Sequence, residues 1–214
     1  MKKRLQHVGI CGNIGSGKTT LAEKLSKHYG WIPLYESVEL NPYLRDFYQD
    51  MTKWAFHLQI YFLNSRFRQA IQIRENTRPI IQDRTIYEDA YIFAANLYQS
   101  GHINERDYES YRAIFDSMIS FVTPPDLLIY LRADIPKLVE QIEKRGRDYE
   151  NSIRLDYLRN LNEHYESWIR NYKLGKVLVV DVNKLDFVKK TADFSDVVGR
   201  IDLELNSLFD GSFS

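Results

Sequence analysis

Apolar residues recur along the chain in two alternating patterns. Short apolar runs bounded by Gly or Pro predict buried strands, and segments whose apolar residues return every three or four positions predict helices. Residues 5–11 form the first strand and end at Gly12. A Gly-rich loop follows, then a helix over 18–29 with Leu21, Ala22 and Leu25 on one face and Gly30 as its stop. Residues 31–35 read as the second strand. Pro42 opens a short helix to about residue 50. Thr52 is placed to cap a long helix to about residue 74, with Trp54, Leu58, Tyr61, Phe62 and Ser65 on or near one face. A third strand, 80–82, runs into Asp83-Arg84-Thr85. Helices follow over 86–98, stopped by Gly101, and from a cap at Asn104 to about residue 121. Pro124-Pro125 breaks the chain before a fourth strand at 126–131. Asp134 caps a helix over 135–145, with Pro136 in its first turn. Residues 155–172 read as another helix, 177–180 as the last strand and 195–208 as the last helix. Five short strands alternating with helices predict an α/β fold, a parallel sheet covered on both faces. With no repeat, low-complexity segment or linker, the 214 residues read as one domain.

Charge narrows the function. Lys+Arg and Asp+Glu both number 29, so the net charge is zero. This argues against a broad basic face for a nucleic-acid polymer, but a few local arginines could still hold a small anion. Hydrophobic residues make up 44% and charged residues 27%, an ordinary globular balance. The single cysteine, Cys11, allows no internal disulfide and no cysteine zinc cluster, which fits a reducing compartment. It reads as a small buried strand residue. The basic Met1-Lys2-Lys3-Arg4 is followed by too short and polar a segment for a secretory signal, and no run is long enough to span a membrane. A cytoplasmic protein without membrane partners is expected.

Gly12-Asn13-Ile14-Gly15-Ser16-Gly17-Lys18-Thr19 fits G-x-x-x-x-G-K-[ST] at every fixed position. A predicted strand precedes it and a predicted helix follows, the context the motif requires. Its backbone N–H groups and the helix N-terminus favour phosphate oxygens. Lys18 reaches the β- and γ-phosphates, and Thr19 offers a hydroxyl to Mg²⁺. This predicts a nucleoside triphosphate site and leaves the acceptor open.

The ends of the next strands supply acceptor chemistry. Glu36, after the second strand, is placed to take the proton of an attacking hydroxyl. Asp83 is placed to hold Mg²⁺ directly or through water, and Arg84 to neutralise charge on the transferred phosphoryl group. A cation close to Glu36 would also keep it ionised. Gln59 and Arg66, seven apart on the long helix, share a face. The Gln59 amide complements the N6/N7 edge of adenine or the N4/N3 edge of cytosine. A glycine between Arg145 and Arg147 suits a mobile phosphate lid.

On these residues the chain resembles the deoxyribonucleoside kinases, the group holding deoxycytidine, deoxyguanosine and deoxyadenosine kinases, and especially their bacterial deoxyadenosine/deoxycytidine branch. The matching segments are the Gly-rich loop, Glu36 with Asn41-Pro42-Tyr43-Leu44, WAFHLQIYFLNSRFR at 54–68, DRTIYEDAYIF at 83–93, Arg145-Gly146-Arg147 and Asp181-Val182-Asn183. The resemblance implies a P-loop kinase fold with a short arginine lid at about 145–153. It implies ATP as donor, Mg²⁺ as cofactor, a deoxyribonucleoside as acceptor and a homodimer. Glu36 becomes the base on the 5′-hydroxyl, and Arg84 the arginine that orients it. Gln59 pairs with the nucleobase, Arg66 and Asp89 form an Arg–Asp pair beside it, Phe93 packs against it, and Phe62 joins the substrate site. Tyr48 and Glu150 bind the 3′-hydroxyl. Arg145 and Arg147 meet phosphate. Thr20 joins the phosphate loop, and Asp181, Val182 and Asn183 join the ATP site. Three places depart from animal members: Asn41-Pro42 stands where several carry a tryptophan, Gln141 where some carry an arginine, and Tyr149 in place of an acid in the lid. Deoxyadenosine is the expected acceptor, followed by deoxycytidine or deoxyguanosine.

Two rivals remain at this level. A thymidylate-type monophosphate kinase shares the P-loop and an Asp-Arg strand end, but needs cations for its acceptor's phosphate. A GTPase-like switch is suggested by Asn183-Lys184-Leu185-Asp186, which matches N-K-x-D. It would also need D-x-x-G upstream, and the D-x-x-G here, at Asp196, lies downstream.

Overall fold

The computed structural model describes residues 5–35, 38 and 40–209. Its five strands are β1 (His7–Cys11), β2 (Ile32–Leu34), β3 (Ile80–Asp83), β4 (Leu127–Arg132) and β5 (Lys176–Asp181). All pair in parallel, in the order β2-β3-β1-β4-β5. β4 shows why the strands are continuously apolar. Its Leu127, Ile129 and Leu131 enter one core with Leu21, Leu25, Val197 and Ile201, while Leu128 and Tyr130 enter a second with Leu58, Phe62 and Leu161. A period of two with both faces covered leaves no polar position. Pro33 is tolerated because β2 is an edge strand.

Helices α1 (Lys18–Tyr29) and α9 (Thr191–Phe209) pack into the first core. Helices α2 (Leu44–Gln49), α3 (Met51–Glu75) and α8 (Leu155–Arg170) pack into the second. Gly30 ends α1 at φ 70°, the left-handed cap its position predicted. Helix α6 (Glu105–Ile119) begins at the expected Asn104, whose Oδ1 accepts the Asp107 N–H. Helix α7 (Ile135–Arg145) also has the expected bounds.

Four local expectations are corrected. Helix α2 starts at Leu44 rather than at Pro42. Asp50, not Thr52, caps α3 by accepting the Lys53 N–H at 3.0 Å, while the Thr52 hydroxyl meets His102 Nδ1. Asp134 stands at the N-cap of α7 without a side-chain cap bond. The expected helix at 86–98 is α4 (Ile86–Glu88), a π-helical turn (Asp89–Ala94) and α5 (Ala95–Gln99). No helix among the described residues is long and apolar enough to cross a membrane.

The register positions the site. Ile10 pairs with Asp83 and Cys11 with Tyr130. The end of β3 therefore lies beside the start of the Gly-rich loop, with α3 and the π-helical turn packed together.

Candidate active site

The Gly-rich loop is held open by backbone geometry and by Asn13. Gly12 has φ 147° and Gly15 φ 85°; an added Cβ would lie 2.8 Å from the Leu131 carbonyl or 2.7 Å from that of Leu138. Only glycine fits either position without displacing backbone. The buried Asn13 donates to the Leu158 carbonyl at 2.9 Å and accepts the Ile14 N–H at 2.7 Å. Ser16 N–H closes the turn onto the Asn13 carbonyl. Gly17 precedes α1, and Thr20 lies in its first turn. Lys18 opens α1 and donates from Nζ to the Asn13 carbonyl at 2.9 Å, so the cation lies over the loop.

At the end of β3, Thr19 Oγ1 donates to Asp83 Oδ2 at 2.5 Å. The other Asp83 oxygen is buried without a hydrogen-bond partner among the described residues. Arg84 follows at φ 70°, where a side chain is disfavoured; it is the non-glycine residue with positive φ among those described. Its N–H bonds the Ile10 carbonyl, and its guanidinium lies 4.1 Å from the Phe93 ring centre.

Glu88 lies beneath this turn and was missed from the sequence. It is fully buried. Its Oε2 accepts the Thr85 N–H at 2.7 Å; its Oε1 accepts the Tyr165 hydroxyl at 2.8 Å and the Gly12 N–H at 3.4 Å. Burial pushes its carboxyl up, against the pull of Arg84, Thr85 N–H and Lys18. Glu88 thus ties the phosphate loop to the turn carrying Arg84. Thr85-x-x-Glu88 is a capping box, a local signal that could have found it.

One cavity of about 440 Å³ joins these parts. Lys18, Thr19, Asp83 and Arg84 line it, with Tyr48, Gln59, Phe62, Asp89 and Phe93. Gln59 Oε1 is buried without a partner among the described residues. Arg66 does not line this cavity: it lies behind Asp89, with Nε 3.6 Å from Asp89 Oδ2 and both side chains buried. The inward face of α3 is corrected, carrying Gln59, Phe62, Arg66 and Gln69 while Trp54, Tyr61 and Ser65 are only partly buried. Tyr157, also missed, adds to the wall.

Arg145 and Arg147 line the same cavity around Gly146. Arg145 makes a two-pronged pair with buried Glu150, at 2.6 and 3.0 Å, and Arg147 approaches Glu150 at 3.4 Å. Tyr149 stacks on Tyr48 with ring centres 5.8 Å apart.

The remaining candidates fall elsewhere. Glu36 lies outside the described residues. Asp181, Val182 and Asn183 follow or end β5 and do not line the cavity. Val182 packs in the first core, and Asn183 Oδ1 accepts the Asp134 N–H at 2.8 Å. The N-K-x-D loop is locked onto itself, with Asp186 accepting the Lys189 N–H. Asp196 and Gly199 lie within α9.

Comparison with known proteins bears on the family and the fold. The deoxynucleoside kinase family profile matches residues 8–205. A deoxyadenosine/deoxycytidine kinase of Bacillus subtilis is 36% identical, over 91% of this chain and 90% of its own length. A deoxyadenosine kinase of Dictyostelium discoideum is 43% identical, over 87% of this chain and 76% of its own. A structure of M. mycoides deoxyadenosine kinase with products dCMP and a flexible dCDP superposes with a TM-score of 0.82 at 31% identity, covering 92% of this chain and 99% of that one. A phosphate loop facing a nucleoside-sized cavity, shared along nearly the whole chain with such relatives, makes this chain a member of the deoxynucleoside kinase family and an ATP-dependent nucleoside kinase.

Proposed function

We propose that this enzyme transfers the γ-phosphoryl group of ATP to the 5′-hydroxyl of deoxyadenosine, and of deoxycytidine or deoxyguanosine less well. One observation carries the reading. A single cavity is lined at once by Lys18 and Thr19 of the phosphate loop and by Gln59 and Asp89, whose polar groups suit a base bearing an amino group. Gln59, whose carbonyl oxygen has no partner among the described residues, offers a donor and an acceptor side by side. Asp89 accepts, which favours adenine or cytosine over thymine. The curated relatives include deoxyadenosine, deoxycytidine and deoxyguanosine kinases.

In this reading Glu36 takes the 5′-hydroxyl proton and Arg84 neutralises charge on the moving phosphoryl group. Tyr48 and Glu150 hold the 3′-hydroxyl, Phe93 packs against the base, and Phe62 joins the substrate wall. Lys18 and the loop N–H groups hold the donor phosphates, and Asp181, Val182 and Asn183 flank the donor. Residues 1–214 act as one kinase unit with its lid near 145–153, in a homodimer.

Mg²⁺ fits the oxygen donors present. Thr19 Oγ1 and Asp83 touch, and one Asp83 oxygen has no partner among the described residues. Such an ion takes one or two protein oxygens beside phosphate oxygens. Bound there, Mg²⁺ would neutralise phosphate charge.

Deoxynucleosides and their monophosphates offered in parallel with ATP test the acceptor class. Deoxynucleosides should yield 5′-monophosphates while monophosphates remain unchanged. Diphosphate formed from monophosphates alone would favour the thymidylate-type rival.

A further inference from the structure

A line of buried polar side chains runs from the far end of β1 to the nucleobase wall. His7 Nε2 lies 3.0 Å from Gln82 Oε1. Gln82 Nε2 donates to Gln69 Oε1 at 2.8 Å, and Arg66 Nη1 donates to the same oxygen at 3.1 Å. Gln69 Nε2 donates to the Tyr35 carbonyl at 2.8 Å. Arg66 in turn lies against Asp89.

The chemistry fixes every orientation in this line. A guanidinium only donates, so Gln69 must present its oxygen to Arg66. Its amide nitrogen then faces the Tyr35 carbonyl, which only accepts. Gln82 must offer nitrogen to Gln69 and oxygen to His7, which leaves His7 as the donor. No amide in the line can flip without setting donor against donor or acceptor against acceptor.

We propose that Gln69 is a positioning residue that couples recognition of the nucleobase to placement of the strand end carrying the catalytic base. It braces Arg66, which backs Asp89 in the cavity wall. It also holds the carbonyl of Tyr35, the residue directly before Glu36 in the chain. It bonds Gln82 as well, next to Asp83-Arg84. One side chain thus joins the helix that reads the base to the ends of the two strands that carry the chemistry. Gln69 lies outside the cavity lining, so it acts through these neighbours and not on substrate. The inference rests on the proposed roles of Asp89 and Glu36.

The test is steady-state kinetics on Gln69→Met, Gln69→Glu and Asp89→Asn, each checked for folding by circular dichroism. The substrates are deoxyadenosine and the analogue lacking its 6-amino group. Methionine keeps the length and removes every hydrogen bond. Gln69→Met should lower kcat/KM for deoxyadenosine about ten- to hundred-fold and shrink the preference for the amino-bearing base, with KM for ATP within about twofold of the parent. Gln69→Glu keeps acceptors for Arg66 and Gln82 but cannot donate to Tyr35. It should lower kcat about tenfold and keep most of the base preference. A folded Gln69→Met with parental kcat and base preference overturns the proposal, as does an equal rise in KM for ATP, which marks general damage. If Gln69→Met does not fold, parental kcat in Gln69→Glu overturns it instead. Asp89→Asn separates the two levels. Unchanged base preference there removes the reading beneath. A collapsed preference there, beside an unchanged one in Gln69→Met, removes this inference alone.

Discussion

Arg84 sets backbone preference against chemistry. Its φ of 70° costs on the order of 1–2 kcal/mol for a side chain, and a glycine would adopt it freely. The turn keeps an arginine, which fits a group whose charge is needed where β3 ends. Arg84→Gly should therefore hold or raise the melting temperature while kcat falls at least about a hundred-fold. A variant both unstable and active would reverse that assignment. Glu36→Gln separates binding from proton transfer, because glutamine keeps the shape and cannot take a proton. Its kcat should fall about 10²–10⁴-fold with nucleoside affinity retained. Near-parental turnover in a folded variant would remove Glu36 as the base. Residues with a local signature were legible at this scale, including Lys18, Thr19, Asp83 and Arg84. Glu88 had a signature too, but its role depends on Gly12 and Tyr165, which only the fold brings near.

At the scale of elements, helix α3 shows where pattern reasoning goes astray. Apolarity favoured Trp54 and Tyr61 for its inward face. The buried stripe instead includes Gln59, Arg66 and Gln69, because it faces a ligand cavity and a polar line rather than a purely apolar core. Strand β1 has a testable counterpart in His7. Burial lowers His7 from 6.5 to about 4, so it is neutral in the fold. Between those values the unfolded chain binds more protons than the folded one, so stability rises with pH and is lost as pH falls from about 6.5 toward 4. The loss between about pH 7 and about pH 5 should be about 2 kcal/mol. His7→Gln should lack that share. Urea midpoints of parent and variant at both pH values check this, and equal slopes would contradict a neutral buried imidazole.

For the whole molecule, the alternation of strands and helices made the parallel sheet legible, and the loop motif marked the Gly-rich turn between β1 and α1. The make-up of the cavity was less legible, because Arg145, Arg147 and Glu150 line it together with Tyr48 and with Gln59 and Phe62 of α3, from distant parts of the chain. Arg147 is only partly buried and lies 3.4 Å from Glu150, and the proposed lid role would exchange that contact for phosphate. Arg147→Ala should lower kcat about ten- to hundred-fold and raise KM for ATP, leaving nucleoside affinity within about twofold. Unchanged kinetics would return Arg147 to a solvated turn. Selection by this cavity of a base with an exocyclic amino group is the proposal that kcat/KM for the four deoxynucleosides tests most directly. Deoxyadenosine should rank first, deoxycytidine or deoxyguanosine next and thymidine last, roughly ten- to hundred-fold below the best, since thymine carries no exocyclic amino group for Asp89 to accept from. Deoxycytidine in first place would overturn the adenine preference alone, whereas thymidine in first place would contradict the assignment of Asp89 and its backing Arg66 to the nucleobase.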